Sequence, residues 1–157
     1  MSDAMKDQID LHENPAYQLW LATNAWQRQV RRALLPLGLT HVQFTILAAV
    51  RRLGAAEEVV SQADVCRFGS LDPNMASEVF RYLERKGLVT RLPHPTDGRA
   101  HELALTSAGE ELLDQAKALV VPVSKAFFAP LGEEQKELAR MLRTIARQDI
   151  ADVCQGD

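Results

Sequence analysis

The stretch LERKGLVTRLPHPTDGRAHELALT, residues 83–106, decides the fold. It reads as a helix end (Leu83 to Lys86), a tight turn at Gly87, a strand from Leu88 to Arg91, a charged loop, and a second strand from Leu103 to Thr106. Pro93, His94, Pro95, Thr96, Asp97 and Gly98 supply turn chemistry between two short runs of alternating apolar residues. Arg99 stands close to the tip of this hairpin, and Asp97 is placed to hold it by a charge-assisted contact. Helix, glycine turn, strand, charged loop and strand follow one another as in a winged helix. In that arrangement a helix enters a DNA major groove while the loop reaches toward a minor groove.

Working upstream, Asp72 and Pro73 open the helix that ends at the glycine turn. Ala76, Val79, Phe80 and Leu83 recur at i, i+3, i+4 and i+7 and form one buried face. Asn74, Ser77, Glu78 and Arg81 fall on the opposite, exposed face, where bases would be met. The free amides near Asp72 and Pro73 suit an approach to phosphates. Ser61 with Asp64 forms a capping box for a short preceding helix running to about Phe68, and Gly69 to Leu71 forms the turn between the two. Earlier still, Thr40 with Gln43 caps a helix that carries Phe44, Leu47, Ala48 and Leu53 and ends at Gly54; Ala55 to Val60 is a connector. Asn14 and Pro15 open the first helix, with Leu19, Trp20, Trp26, Val30, Leu34 and Leu37 at helical spacing, running to about Leu37.

Downstream, Ser107 with Glu110 reads as a capping box for a long helix in which Pro122 predicts a bend. After Pro130 and Gly132 comes a last helix with Leu138, Met141, Leu142, Ile145 and Ile150 on one side. The fold class is therefore mainly α with a small β-wing: a winged helix-turn-helix with N- and C-terminal dimerisation helices. Residues 1–13 form a flexible arm, 14–37 and 107–157 the helical dimerisation region, and 38–106 the DNA-binding domain. Apolar stripes on the first and last helices exceed what a small winged helix needs to cover itself, so a second copy is the expected partner.

The chain has 157 residues, 46% hydrophobic and 25% charged, enough for one such domain with an oligomerisation element. A net charge of −3 is not that of a generic polyanion binder, but its distribution is uneven. No acidic residue occurs between Ala16 and Ala56, where Arg28, Arg31, Arg32, Arg51 and Arg52 all lie. No apolar run is long enough to cross a bilayer and the N-terminus has no signal-peptide core, so a soluble, cytoplasmic protein without a membrane partner is expected. Cys66 and Cys154 are far apart with no CxxC spacing, which argues against a disulfide framework or structural zinc. His12, His41, His94 and His101 show no paired metal-ligand spacing, and no metal or other cofactor is expected. No phosphate-cradling glycine loop and no nucleophile signature is present, so an enzyme is not expected.

Leu83, Glu84, Lys86, Gly87, Leu88, Val89, Arg91, Asp97, Arg99, Leu105, Thr106 and Gly109 stand in an order and spacing that resembles the MarR family of transcription regulators. That resemblance implies a homodimer with interlocked terminal helices, the fourth helix as reader and Arg99 as the minor-groove contact of the wing. The DNA-contacting set is then Asn74, Met75, Ser77, Glu78, Arg81, Arg91, Asp97 and Arg99. Glu78 and Met75 depart from the family's usual reader residues; a glutamate can accept from a cytosine amino group, and a methionine can touch a thymine methyl. Peroxide-sensing members use a cysteine near the N-terminus, where this chain has none, and Cys66 reads as a buried, inert thiol. Family members often bind small aromatic or phenolic effectors beside the dimerisation helices, where Trp20, Trp26, His41 and Phe44 would line a pocket. The function implied is a sequence-specific, homodimeric repressor of a double-stranded operator, relieved by such an effector. The alternative is a winged-helix protein-interaction module that has lost DNA binding.

Overall fold

The computed structural model describes residues 10–56, 59–99 and 101–146. Its elements are α1 (Pro15–Leu34), α2 (His41–Gly54), α3 (Gln62–Gly69), α4 (Pro73–Arg85), β1 (Val89–Pro93), β2 (His101–Leu105), α5 (Ser107–Phe128) and α6 (Gln135–Ala146). Short 3-10 segments follow α1 (Leu35–Leu37) and α5 (Ala129–Glu134). The chain divides into two compact units, residues 1–123 and 124–157. No single described helix is long and apolar enough to cross a membrane.

Local side-chain chemistry starts most of these helices. Asn14 accepts from the Tyr17 amide at 3.0 Å, and Asp72 accepts from the Met75 amide at 2.9 Å. Thr40 and Gln43 form a reciprocal capping box at 3.2 and 3.0 Å, and Ser61 with Asp64 forms another at 3.1 and 3.0 Å. The Asp64 carboxyl is held below its ordinary value, first by the Ser61 hydroxyl and then by the Ser61 amide.

Four expectations need correction. The α-helical part of the first helix stops at Leu34, because Pro36 has no amide to donate to the Arg32 carbonyl. Ser107 is not the cap of α5: Thr106 is, accepting from the Gly109 amide at 3.0 Å, and Glu110 instead pairs with Arg51 on α2 at 3.1 Å. The turn before α4 begins at Ser70 (φ 48), one residue later than expected, because Gly69 still belongs to α3. The connector after α2 also does more than connect, since the Val60 carbonyl accepts from Leu103 at 2.8 Å and Ser61 bridges Glu102, adding a third edge to the hairpin. Pro122 lies inside a continuous α5, and Ile150 falls outside the described residues.

β1 and β2 pair antiparallel, with Val89 opposite Leu105, Arg91 opposite Leu103 and Pro93 opposite His101. Val89 and Leu103 point into the core, where they join Val30, Leu34, Ile46, Leu47, Val65, Phe80, Leu83, Leu113, Ala116 and Val120. The first turns of α5 therefore share one core with the winged helix. In the second unit, the Phe127 and Phe128 rings meet edge to face at 5.0 Å, and Met141 and Ile145 lie exposed on α6.

The base of the hairpin is the tightest junction. Gly87 takes φ 69, a left-handed conformation that ends the helix, and its carbonyl accepts from the Thr106 hydroxyl at 2.6 Å. The Leu88 carbonyl accepts from the Thr106 amide at 3.1 Å. Gly109 is buried against this crossing, and a Cβ there would fall inside van der Waals contact with the Leu88 carbonyl oxygen. Gly109→Ala is expected to lower unfolding stability by roughly 3 kcal/mol, the upper end for overpacking, because the obstacle is backbone rather than a movable side chain. A shift in the urea midpoint at unchanged slope measures this.

Candidate nucleic-acid interface

Residues of α4 that face away from the core are Asn74, Met75, Glu78 and Arg81, all exposed, and Ser77, half-buried. The apolar face of the helix, anchored by Ala76, Phe80 and Leu83, fixes that outward set. Ser77 and Arg99 border one crevice of about 680 Å³ between α3, α4 and the hairpin, together with Gln62, Arg67, Pro73 and His101. The structure thus brings one residue of the outward α4 set, Ser77, and the wing-tip Arg99 to the edges of a single concavity, while Asn74, Met75, Glu78 and Arg81 lie outside it. Arg67 joins it although the sequence reading passed it over; the visible signal was a cation on the exposed side of the helix preceding the reader. Arg67 reaches its i−3 neighbour Asp64 at 3.2 Å.

At the wing tip, Asp97 does not hold the Arg99 guanidinium. Its carboxylate accepts from the Arg99 backbone amide at 3.0 Å, an Asx turn that shapes the loop. His94 is a second organiser missed from the sequence: its Nδ1 accepts from the Thr96 and Asp97 amides at 3.3 and 3.2 Å. With the backbone held in these ways, the exposed Arg99 side chain makes no ion pair among the described residues.

Arg91 is placed differently from the rest of its set. Its side chain is only 11% exposed and meets Glu84 Oε2 at 3.1 Å. With the Gln62 amide oriented oxygen toward the guanidinium, Gln62 Oε1 also accepts from Nη2 at 2.8 Å and Nε at 2.7 Å. These partners occupy a guanidinium that the motif assigned to DNA.

Of the four residues assigned to a small-molecule pocket, the structure joins Trp26 and His41, whose rings meet at 5.1 Å and 77°. Burial, and then the charge of Arg31, lowers the basicity of His41. Phe44 packs against the core from α2. Trp20 is apart from them, 61% exposed and stacked on Tyr17 at 6.1 Å, because six residues along a helix turn it about 120° away from Trp26.

A reader helix and an arginine-tipped hairpin flanking one crevice define a winged helix-turn-helix protein. Comparison with known proteins narrows the class. A family model described as MarR family matches residues 37–100. The HTH-type transcriptional regulator YdcH of Bacillus subtilis is 38% identical over 126 residues, covering 80% of this chain and 86% of that protein. The HTH-type transcriptional repressor Mb2911 of Mycobacterium bovis is 32% identical, over 82% of this chain and 91% of its own. Among solved structures, the transcriptional repressor CouR bound to a 23-mer DNA duplex superposes with a TM-score of 0.76 at 29% identity, over 87% of this chain and 95% of its own. CouR from Rhodococcus jostii RHA1 bound to p-coumaroyl-CoA gives the same TM-score at 26% identity, over 87% of this chain and 94% of its own. The chain belongs to the MarR family, and is a DNA-binding transcriptional regulator rather than an enzyme.

Cys66 is buried, and desolvation followed by the charge of Asp72 pushes its thiol pKa up. In a Cys154→Ser variant, Cys66 is expected to react with a disulfide reagent at least ~100-fold more slowly than a free thiol until the protein unfolds. Reaction at the free-thiol rate in the native protein would contradict an inert role.

Proposed function

We propose that this protein is a homodimeric, sequence-specific repressor whose two winged helices read successive major grooves, and whose DNA affinity falls when a small aromatic or phenolic ligand binds. The observation that carries the DNA half is that Ser77 on α4 and Arg99 on the hairpin border one crevice, with Asn74, Met75, Glu78 and Arg81 exposed beside it on α4. Asn74, Met75, Ser77, Glu78 and Arg81 are assigned to base edges and flanking phosphates, and Arg99 to a minor groove, where a narrow groove concentrates negative potential. Asp97 serves by shaping the loop that presents Arg99.

Homodimerisation is supported by apolar surface that one copy leaves uncovered: Leu19, Trp20 and Leu21 on α1, and Met141 and Ile145 on α6. A two-fold axis would set the reader helices roughly 34 Å apart, one turn of DNA. The effector half is supported by CouR, whose structures include a complex with DNA and a complex with p-coumaroyl-CoA. Trp26, His41 and Phe44 are the side chains assigned to the ligand, with Trp20 assigned to the dimer surface. Binding would act by favouring a dimer whose readers are mis-spaced for DNA. A cytoplasmic location follows from work on the chromosome.

Fluorescence anisotropy on duplex DNA from upstream of the protein's own gene, against a scrambled duplex at two salt concentrations, tests this reading. A preference for the native duplex and a steep loss of affinity with salt are expected, since each neutralised phosphate contributes about 0.9 to the logarithmic slope. Arg99→Ala is expected to cost roughly 1–3 kcal/mol of affinity with the dimer and the melting temperature unchanged. Absence of both preference and slope would instead favour a protein-interaction module.

A further inference from the structure

We propose that Arg91, rather than contacting DNA, is a positioning residue that locks the wing to both helices of the helix-turn-helix and so sets the spacing between reader and wing tip. The inference rests on the DNA-binding reading above and assigns a separate task within it. Arg91 sits at the centre of β1, opposite Leu103. From there its guanidinium reaches Glu84 in the last turn of α4 at 3.1 Å, and Gln62, the first residue of α3, at 2.8 and 2.7 Å. One planar group therefore ties three elements whose relative placement decides which bases and which minor groove are met together.

Charge and shape both suit that task. A guanidinium carries five donors in a rigid fork and can serve Gln62 and Glu84 at once, whereas a lysine ammonium is a single point charge on a flexible stem. At 11% exposure the Arg91 side chain is largely withdrawn from a polyanion, while Glu84 is 43% exposed and partly screened. Reaching a phosphate would mean breaking both contacts and leaving the carboxylate unpaired beside the DNA.

The two roles predict opposite signs for a change made away from Arg91. Glu84→Ala removes a negative charge and frees the guanidinium; a phosphate-contacting Arg91 would then bind all DNA more tightly and with a steeper salt dependence. A positioning Arg91 would lose part of its anchor, and discrimination would fall. Binding of the full-length wild type, Glu84→Ala, Gln62→Ala, Arg91→Lys and Arg91→Gln proteins to the upstream and scrambled duplexes, normalised to active protein, separates these outcomes. The expected result is a fall of about tenfold in the upstream-to-scrambled affinity ratio for each variant, comparable to one mis-seated base contact, with the wild-type salt slope retained. Lysine is expected not to rescue. A role confined to stability would lower the melting temperature and leave the ratio intact, which overturns the proposal. So would tighter binding by Glu84→Ala, or a salt slope reduced by about one in Arg91→Gln with an unchanged ratio. A wild type with neither preference nor slope removes the DNA-binding reading itself, and this proposal with it; loss confined to the variants' ratio leaves both standing.

Discussion

The Thr106 side chain and amide hold the rest of the winged helix in register. The hydroxyl donates to the Gly87 carbonyl at 2.6 Å and accepts from the Gly109 amide at 3.0 Å, while the amide donates to the Leu88 carbonyl at 3.1 Å. One residue thus closes the hairpin, caps α5 and meets the turn at the end of α4. Three hydrogen bonds converge on Thr106 where Gly109 is buried against the Leu88 carbonyl, so the segments that meet here have little freedom to slide. Gly109 permits the approach by having no Cβ, and Gly87 permits the turn through its positive φ. The glycine, leucine, threonine and glycine of the family motif are in this sense one mechanical joint, with the wing as its lever.

That joint also decides what can influence α4. Leu113, Ala116 and Val120 of α5 lie in the same core as Phe80 and Leu83 of α4, so a displacement of α5 has to be accommodated by close-packed neighbours. Arg51 adds a polar tie from α2 to α5, meeting Glu110 at 3.1 Å and Asp114 at 2.5 Å. The pair is largely solvent-exposed on its acidic side and contributes modestly to stability; its effect is on orientation. Packing of this kind gives a physical route by which a change at the first turns of α5 reaches α4.

Helix starts were legible in the sequence because capping is a short-range matter. Asn14, Thr40 with Gln43, Ser61 with Asp64, and Asp72 each satisfy amides within three residues, and each is found where its pattern placed it. The start of α5 misled for the same reason. Thr106 and Ser107 are adjacent hydroxyls, and only the distant Gly87 carbonyl and Arg51 side chain decide which one caps and where Glu110 goes. Arg91 is expected at DNA from its place in the motif alone, and the partners it meets in the structure are 7 and 29 positions away along the chain. Nothing local distinguishes an arginine that ties helices together from one that meets a phosphate. Val60 likewise became a sheet edge only because Leu103 arrived beside it.

On the proposed reading, α4 and the hairpin tip meet DNA as one surface. Hydrogen–deuterium exchange of the full-length protein with and without the upstream duplex addresses this directly. Protection gained together in the first turns of α4 and in residues 93–99, and lost together as salt is raised, is the predicted result. Protection confined to α1 and α6, or gained on α4 with the hairpin unchanged, would contradict it.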